Sequence, residues 1–510
     1  MISNKLKAYN KLIKASNVYD VAEVTPITKA NNLSKSLKNA IFLKREDLQP
    51  VFSFKLRGAY NKISKIKKNG SNRPVIAASA GNHAQGVSYS AKKLGLKSII
   101  VMPITTPLIK INAVKNFGGK VILFGDNFDE AYDHATSLAK KENYTFIPAY
   151  DDKDVIAGQG TVGKEILEQT ESKVDAIFVP VGGGGLLAGV GAYIKSEHPE
   201  IKIIGVEPDD AACLDLAFRH NKRLSLKEVG LFVDGVAVKQ IGKLNFSLIK
   251  EWLDDVVTVS IDEICASVED TFQETRTIPE PAGALALAGL KKYTKSKGLR
   301  NKNLIAINSG ANLNFDRLGH IVERVQLGEN KEVLLSVRIP EEKGSFRKFC
   351  KLLGKRMISE FNYRAEDSEE ATIFVACRFN DSKQKVKLMR HLRSKGYSPK
   401  DLSDNEVAKL HIKHMVGGRA PESVSEKGEY LFRVEFPERP GALVDFLDKL
   451  SDNWNITLFH YRNQGSAYGR VLVGFECQTK SYSKLTKYLA KTGFRFWEET
   501  ENSAYKSFLK

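Results

Sequence analysis

The sequence predicts an α/β protein built on a parallel sheet covered on both faces, followed by a tandem α+β region of ferredoxin-like modules. Three observations predict it. Short, continuously apolar runs alternate with helical stretches from Val75 to Ile307. Such runs read as parallel strands buried on both sides, joined by crossover helices. Two of the runs end in glycine-bearing turns that open a helix, at Gly81 and at Gly182. Beyond residue 332, one order of strand, proline, glycine and helix occurs twice.

A chain of 510 residues is too long for one ordinary core and implies two or three domains. The net charge of +18 raises the question of nucleic acid. No run of Lys and Arg interleaved with aromatics is present, and no zinc-finger or helix-turn-helix pattern. A generally basic solvated surface is expected, and no nucleic-acid partner. The five cysteines, Cys213, Cys265, Cys350, Cys377 and Cys477, are scattered without a C-x-x-C pair. That pattern suits a reducing compartment and implies neither a metal site nor a disulfide framework. The opening Met1-Ile-Ser-Asn-Lys-Leu-Lys has no apolar signal core, and no apolar run is long enough to span a bilayer. A cytoplasmic protein without a membrane partner is expected.

In chain order, residues 1–40 read as a helical lead-in broken near Thr25-Pro26. Ile41 to Asp47 read as a short strand entering a charged turn. A helix starts near Ser53 and runs toward Lys62. Then come the apolar strands Val75–Ala78, Ser98–Met102, Val121–Phe124, Ala176–Val181, Ile203–Val206 and Leu304–Ile307, with helices between them. Ligands of such folds bind beyond the carboxyl ends of the strands, where both glycine turns lie. A charged stretch through Lys331 reads as a neck. In the repeat that follows, Val333–Pro340 is echoed by Tyr430–Pro437, Gly344 by Gly441, and Phe361-Asn362-Tyr363-Arg364 by Phe459-His460-Tyr461-Arg462. Each copy reads strand-helix-strand-strand-helix-strand, a module of about 70–80 residues. The expected boundaries are 1–318, a neck at 319–332, one module at 333–410, a linker at 411–428, and a second module at 429–510.

Four stretches carry the chemistry. Lys55, in Ser53-Phe54-Lys55-Leu56-Arg57-Gly58-Ala59, is one lysine among many until the loops downstream are considered. Gly182-Gly183-Gly184-Gly185 closes a strand and opens a helix, so its backbone N–H groups can converge on an anion such as phosphate. No Gly-Lys-Ser/Thr follows it, and no G-x-G-x-x-G dinucleotide pattern fits. Ser79-Ala80-Gly81-Asn82-His83 is a second strand-to-helix turn. Ser79 and Asn82 can donate to a carboxylate or a ring hydroxyl there, although Ser79 as a helix N-cap and His83 as packing are the plainer readings. Ser309-Gly310 closes the last strand of this region and can meet a ring nitrogen. Glu280 and Glu207 read as loop or strand-end carboxylates.

Together these stretches resemble the fold-type II family of pyridoxal 5'-phosphate enzymes. Within it the chain is most similar to the biosynthetic threonine ammonia-lyases, on Lys44–Pro50, Asn312–Leu318 and His414–Arg419. The resemblance covers nearly the whole chain. It implies two mostly parallel open sheets, with ACT-like modules in the carboxyl-terminal repeat. It implies that Lys55 holds pyridoxal 5'-phosphate as an imine and, once displaced by substrate, acts as base on Cα. Phe54 would pack on the cofactor ring and Asn82 would bond its 3'-oxygen. Gly182, Gly183, Gly184, Gly185 and Leu186 would bind the phosphate, and Ser309 would face the pyridine nitrogen. Ser79, Ala80, Gly81, Asn82 and His83 would hold the substrate carboxylate. A neutral Ser309 opposite that nitrogen would favour prompt β-elimination over transamination. The implied substrate is L-threonine, with L-serine as the alternative, and the implied assembly is a homotetramer. Isoleucine is implied as feedback inhibitor, opposed by valine. In the repeats, Arg364 and Arg462 can grip a carboxylate bidentately, and Tyr363 and Tyr461 can wall an aliphatic side chain. No metal is implied.

Overall fold

The computed structural model describes residues 3–328, 332–354, 356–367, 369–379, 382–410, 412, 415–437, 442–449, 454–462 and 468–509. The chain divides into two units, Met1–Gly328 and Glu329–Lys510.

The first unit carries β1 (Ile27–Lys29), β2 (Ala40–Arg45), β3 (Val75–Ala78), β4 (Ser98–Met102), β5 (Lys120–Leu123), β6 (Thr145–Phe146), β7 (Ala176–Pro180), β8 (Lys202–Pro208), β9 (Asp255–Val259) and β10 (Asn303–Asn308). They form a six-stranded sheet in the order β1-β2-β10-β7-β8-β9 and a four-stranded sheet in the order β5-β4-β3-β6. All neighbours run parallel except β1 and β2. The apolar strand runs follow from burial on both faces. In the larger sheet Ile177, Val179, Ile203, Ile305 and Ile307 pack with helices Asn4–Lys14, Lys153–Gln169 and Gly185–Glu197. Phe178, Ile204, Val206, Leu304 and Ala306 face the other way, onto helix Pro281–Lys297. The smaller sheet has a core of its own, in which Val75, Ala77, Ile100 and Met102 meet Ala59, Ala84, Ile111 and Val114.

Two segments differ from the sequence expectation. The lead-in is not helical throughout, because Ile27–Lys29 pairs antiparallel with Lys44–Phe42 as an edge strand. Three residues are too few for a period-2 pattern to show. The stretch 319–328, expected as part of a neck, lies in helix Arg317–Gly328, whose Ile321 and Val325 are buried against Cys265, Val268 and Ala284. Its charged residues, among them a buried Arg324 paired with Asp262 at 2.8 Å, conceal an amphipathic helix.

The second unit carries β11 (Glu332–Pro340), β12 (Met357–Arg364), β13 (Glu370–Arg378), β14 (Lys400–Asp401), β15 (Glu429–Pro437), β16 (Asn455–Arg462), β17 (Tyr468–Glu476) and β18 (Arg495–Glu498). They make one antiparallel eight-stranded sheet in the order β14-β11-β13-β12-β16-β17-β15-β18. Each half has the fourth, first, third and second strands of a βαββαβ module side by side. The halves join through β12 and β16, with Asn362 opposite His460. Phe361, Tyr363, Phe459 and Tyr461 share one face with Phe346, whose ring meets the first edge-on and the next two at a tilt. Gly344 has φ of 90° and opens helix Ser345–Leu353, as the repeat implies. Its counterpart Gly441 lies outside the described residues, with 438–440, and so does His414.

Candidate active site

Three chain reversals at the carboxyl ends of β3, β7 and β10 meet the start of helix Lys55–Lys68. That helix begins under tight constraint. Phe54 N–H donates to the Ser309 carbonyl at 3.3 Å and Ala311 N–H to the Phe52 carbonyl at 2.9 Å, so the lysine segment is sewn to the Ser309 turn. Further along the helix, Arg57 is fully buried and pairs with Glu46 at 2.7 Å and Glu165 at 2.5 Å, while Lys44 reaches Glu165 at 2.6 Å. Two cations and two anions thus neutralise one another in the interior, where an unpaired charge would be very costly. Helix Lys153–Gln169 lies against this segment at backbone distance. A Cβ on Gly158 would stand 2.5 Å from the Arg57 carbonyl oxygen, so only glycine fits there.

The result is a narrow cleft lined by Phe54, Lys55, Asn82, Tyr150, Pro180, Gly182, Gly183, Gly184, Gly185, Leu186, Gly235, Val236, Glu280, Ala282 and Ser309. Lys55 Nζ lies 5.3 Å from the Phe54 ring centroid. Burial lowers the amine to about 8, against the attraction of Glu280, which raises it. Position at the first turn of a helix disfavours the ammonium further.

Opposite stands the glycine turn. Gly184 has φ of 88° and caps helix Gly185–Glu197. Among the described residues, no protein group accepts from the N–H of Gly182, Gly183 or Gly184. A Cβ on Gly183 would stand 2.4 Å from the Tyr150 ring, so backbone alone faces the cleft. Asn245 Nδ2 braces the turn from behind, donating to the Gly183 carbonyl at 2.6 Å. Free amides at a helix N-terminus suit a phosphate, and a buried amine lowered to about 8 in the same cleft, with a larger free-base fraction than an ordinary lysine, suits a carbonyl that forms an imine. These residues fit pyridoxal 5'-phosphate.

Of the predicted site residues, Lys55, Phe54, Asn82, the four glycines, Leu186 and Ser309 all line this one cleft. Ser309 Oγ donates to the Ala282 carbonyl at 3.2 Å. Of the Ser79–His83 turn, Asn82 alone lines the cleft, while Ser79 Oγ accepts from Gly81 N–H at 3.2 Å. His83 is turned away, with Nε2 at 2.9 Å from the Ile147 carbonyl, and burial lowers its ring to about 4. Its side chain therefore stays neutral and packs, as the plainer reading held.

The sequence reading undervalued Glu280. It is buried at the floor of the cleft, and its Oε1 accepts from Asn82 Nδ2 at 2.6 Å. Asn312 Nδ2 in turn donates to Asn82 Oδ1 at 2.6 Å. Burial first, then the charge of Asp234, pushes Glu280 up to about 7. Only its flanking prolines marked it in the sequence. Glu207 lies elsewhere: it accepts from the N–H groups of Leu214 and Asp215, and burial raises it to about 8.

In the second unit the Arg364 fork is already engaged, with Glu429 at 2.6 and 3.1 Å and the Leu509 carbonyl at 2.8 Å. Tyr363 donates to Glu341 at 2.8 Å, Tyr461 is buried, and Arg462 lies half-exposed with Nε at 3.9 Å from Glu360. The four residues thus share the β12–β16 seam, with the tyrosines on one face and the arginines on the other. Among the described residues, no group of three or more His, Cys, Asp or Glu is placed to hold a metal, and no helix is long and apolar enough to cross a membrane.

Comparison with known proteins agrees with this geometry. The family described as pyridoxal-phosphate dependent enzyme matches residues 18–310, and the C-terminal regulatory domain of threonine dehydratase matches 323–412 and 421–509. The chain is 49% identical to L-threonine dehydratase biosynthetic IlvA of Burkholderia multivorans, over 98% of this chain and 99% of that protein. Identity to the Escherichia coli protein of the same name is also 49%, over 98% and 97%. The solved structure of the processed form of threonine deaminase isoform 2 from Solanum lycopersicum superposes with a TM-score of 0.62 at 46% identity, covering 63% of this chain and 94% of that one. With a lysine, a glycine turn and a regulatory repeat all in place along its full length, the chain belongs to the biosynthetic threonine dehydratase branch of the pyridoxal-phosphate-dependent enzymes.

Proposed function

We propose that the protein deaminates L-threonine to 2-oxobutanoate and ammonia, the committing step toward isoleucine, under feedback control by isoleucine. The observation that carries this reading is the buried Lys55 amine sharing a cleft with three glycine amides that no group among the described residues engages, in a chain that aligns over 98% of its length with threonine dehydratases.

Pyridoxal 5'-phosphate, when bound, supplies the electron sink that acidifies the substrate Cα. The residues do the rest. The amides of Gly182 to Leu186 would hold its phosphate at a helix N-terminus, and Phe54 and Ser309 would hold its ring. Asn82 and the Ser79–Gly81 turn receive the substrate carboxylate at the start of helix Asn82–Lys93. Lys55 takes the proton from Cα, for which an amine lowered to about 8 is well matched at neutral pH. The β-hydroxyl leaves as water, and hydrolysis of the enamine product returns that water and frees ammonia. Glu280, poised near 7, holds a proton beside Asn82 and keeps a second negative charge out of the cleft.

The two-module unit supports control by a small amino acid, with isoleucine as inhibitor, valine opposing it, and Tyr363, Arg364, Tyr461 and Arg462 at the seam as the responding group. A homotetramer in the cytoplasm belongs to the same reading. The test is 2-oxoacid release from L-threonine and L-serine by cofactor-loaded protein, with and without isoleucine. The expected result is faster turnover of threonine, suppressed by isoleucine. No 2-oxoacid from either substrate would refute the reading.

A further inference from the structure

We propose that Lys110 and Asp234 form a latch across the cleft that sets how tightly the enzyme holds its substrate. They are positioning residues: they act through the walls of the site and touch none of the reacting atoms. The proposal rests on the reading of the cleft as the threonine site.

The wall in question is the strap 228–242. Its Gly235 and Val236 line the cleft, and a Cβ on Gly182 would stand 2.9 Å from Val236 Cα, so the strap leans directly on the glycine turn. Its regular structure is one short turn, Asp234–Val236. Backbone bonds anchor its ends, from Gly230 N–H to the Asp210 carbonyl at 2.9 Å, from Leu226 N–H to the Lys239 carbonyl at 2.9 Å and from Gly242 N–H to the Gly183 carbonyl at 3.1 Å, and side chains hold the span between. Asp234 Oδ2 accepts from Lys110 Nζ at 2.5 Å, and Asp234 Oδ1 lies 3.6 Å from Arg317 Nη1, which also donates to the Phe232 carbonyl at 3.1 Å. At the far end Lys239 Nζ reaches Asp129 Oδ2 at 2.9 Å. Lys110 lies on helix Leu108–Asn116 and Asp129 on helix Phe128–Lys141, both packed on the four-stranded sheet. The strap belongs to the six-stranded sheet, through Val233 and Val236 in its core.

Two ion pairs therefore tie one wall of the cleft to the opposite lobe. They are not equal. The Lys110 and Asp234 side chains are 22% and 37% exposed, against 58% and 67% for Lys239 and Asp129. Water and salt screen the second pair far more than the first, and Asp234 is further shared with Arg317. Each lobe has its own apolar core, so neither needs the latch in order to fold. What the latch fixes is the separation of the lobes, and with it the fraction of molecules whose cleft is closed on a ligand. A ligand binds more weakly when its competent state is less populated.

The test uses the cofactor-loaded full chain as wild type, Lys110→Asp, Asp234→Lys, and the double charge swap. Each single reversal is expected to raise KM for threonine at least about fivefold, the range of a surface-accessible pair replaced by like charges, while kcat is free to move, because Asp234 and Lys110 also act on the Glu280 carboxyl. The swap is expected to bring KM back within about threefold of wild type, the signature of direct coupling. Hydrogen exchange of the amides in 228–242, measured without threonine, is expected to quicken in the singles and slow again in the swap. Single variants with wild-type KM, or a swap no better than the worse single, would overturn the latch. If wild type releases no 2-oxoacid from threonine, the functional reading fails instead, and exchange still decides the latch: equal rates in all four proteins overturn it.

Discussion

Lys55 and Glu280 lie 225 positions apart in the sequence, yet in the cleft each charge acts on the other. Burial pushes the amine down and the carboxyl up, so both drift toward their uncharged forms near neutrality. The carboxyl gives a clear pH dependence. Its folded value of about 7 stands above the 4.5 of an unfolded chain, so the folded protein holds this proton more tightly. The stability it contributes is complete below about 4.5 and is lost as pH rises through about 7. Glu280→Gln in the cofactor-free protein should remove that decline, which amounts to roughly 3 kcal/mol at most. Denaturant unfolding of both proteins between these pH values checks it, and parallel curves would contradict it. At this scale the motif around Lys55 was legible because its residue types and order are distinctive. Glu280 was not, because its importance comes from Asn82, which meets it only in the fold.

At the scale of elements, the glycine turn after β7 is shaped by what it must not carry. Tyr150 closes over Gly183 so tightly that a methyl group has no room, and burial holds the Tyr150 phenol up at about 12, so that it stays neutral against the turn. Gly183→Ala should weaken cofactor binding at least about tenfold, since the turn or the ring must shift by several tenths of an ångström and several converging N–H bonds misalign together. Titration of the cofactor-free protein checks this, and unchanged affinity would show that the ring yields freely. Strands such as Val75–Ala78 and Ala176–Pro180 were legible as unbroken apolar runs. The edge strand Ile27–Lys29 and the helix Arg317–Gly328 were not, the first too short to show a period and the second masked by its charged residues, of which Arg324 is buried. Nor could the buried set of Lys44, Glu46, Arg57 and Glu165 be read in advance, because Glu165 lies more than a hundred positions from the other three and charged residues look like surface until the fold pairs them.

For the whole molecule, the repeat announced two modules, but it did not announce that they fuse edge to edge through β12 and β16. That pairing depends on strand register between the copies, which no local pattern encodes. At the seam Glu429 is held by Arg364, Tyr505 and Thr457. Arg364→Ala would strand this carboxylate in the interior, at a cost of about 3–5 kcal/mol for a broken buried pair. It should lower the melting temperature of the regulatory unit and shift the isoleucine inhibition curve to higher concentration, while threonine turnover without isoleucine is kept. An inhibition curve identical to wild type would remove Arg364 from the response.

Everything above depends on one lysine among many being the one that holds the cofactor. Borohydride reduction of the cofactor-loaded protein, followed by proteolysis and mass spectrometry, tests that directly. The account predicts a single pyridoxyl group, on Lys55, together with loss of the imine absorbance and a fall in threonine turnover of at least about a thousandfold, the scale expected when an essential base is removed. A label on another lysine, or no stable label in active protein, would contradict it.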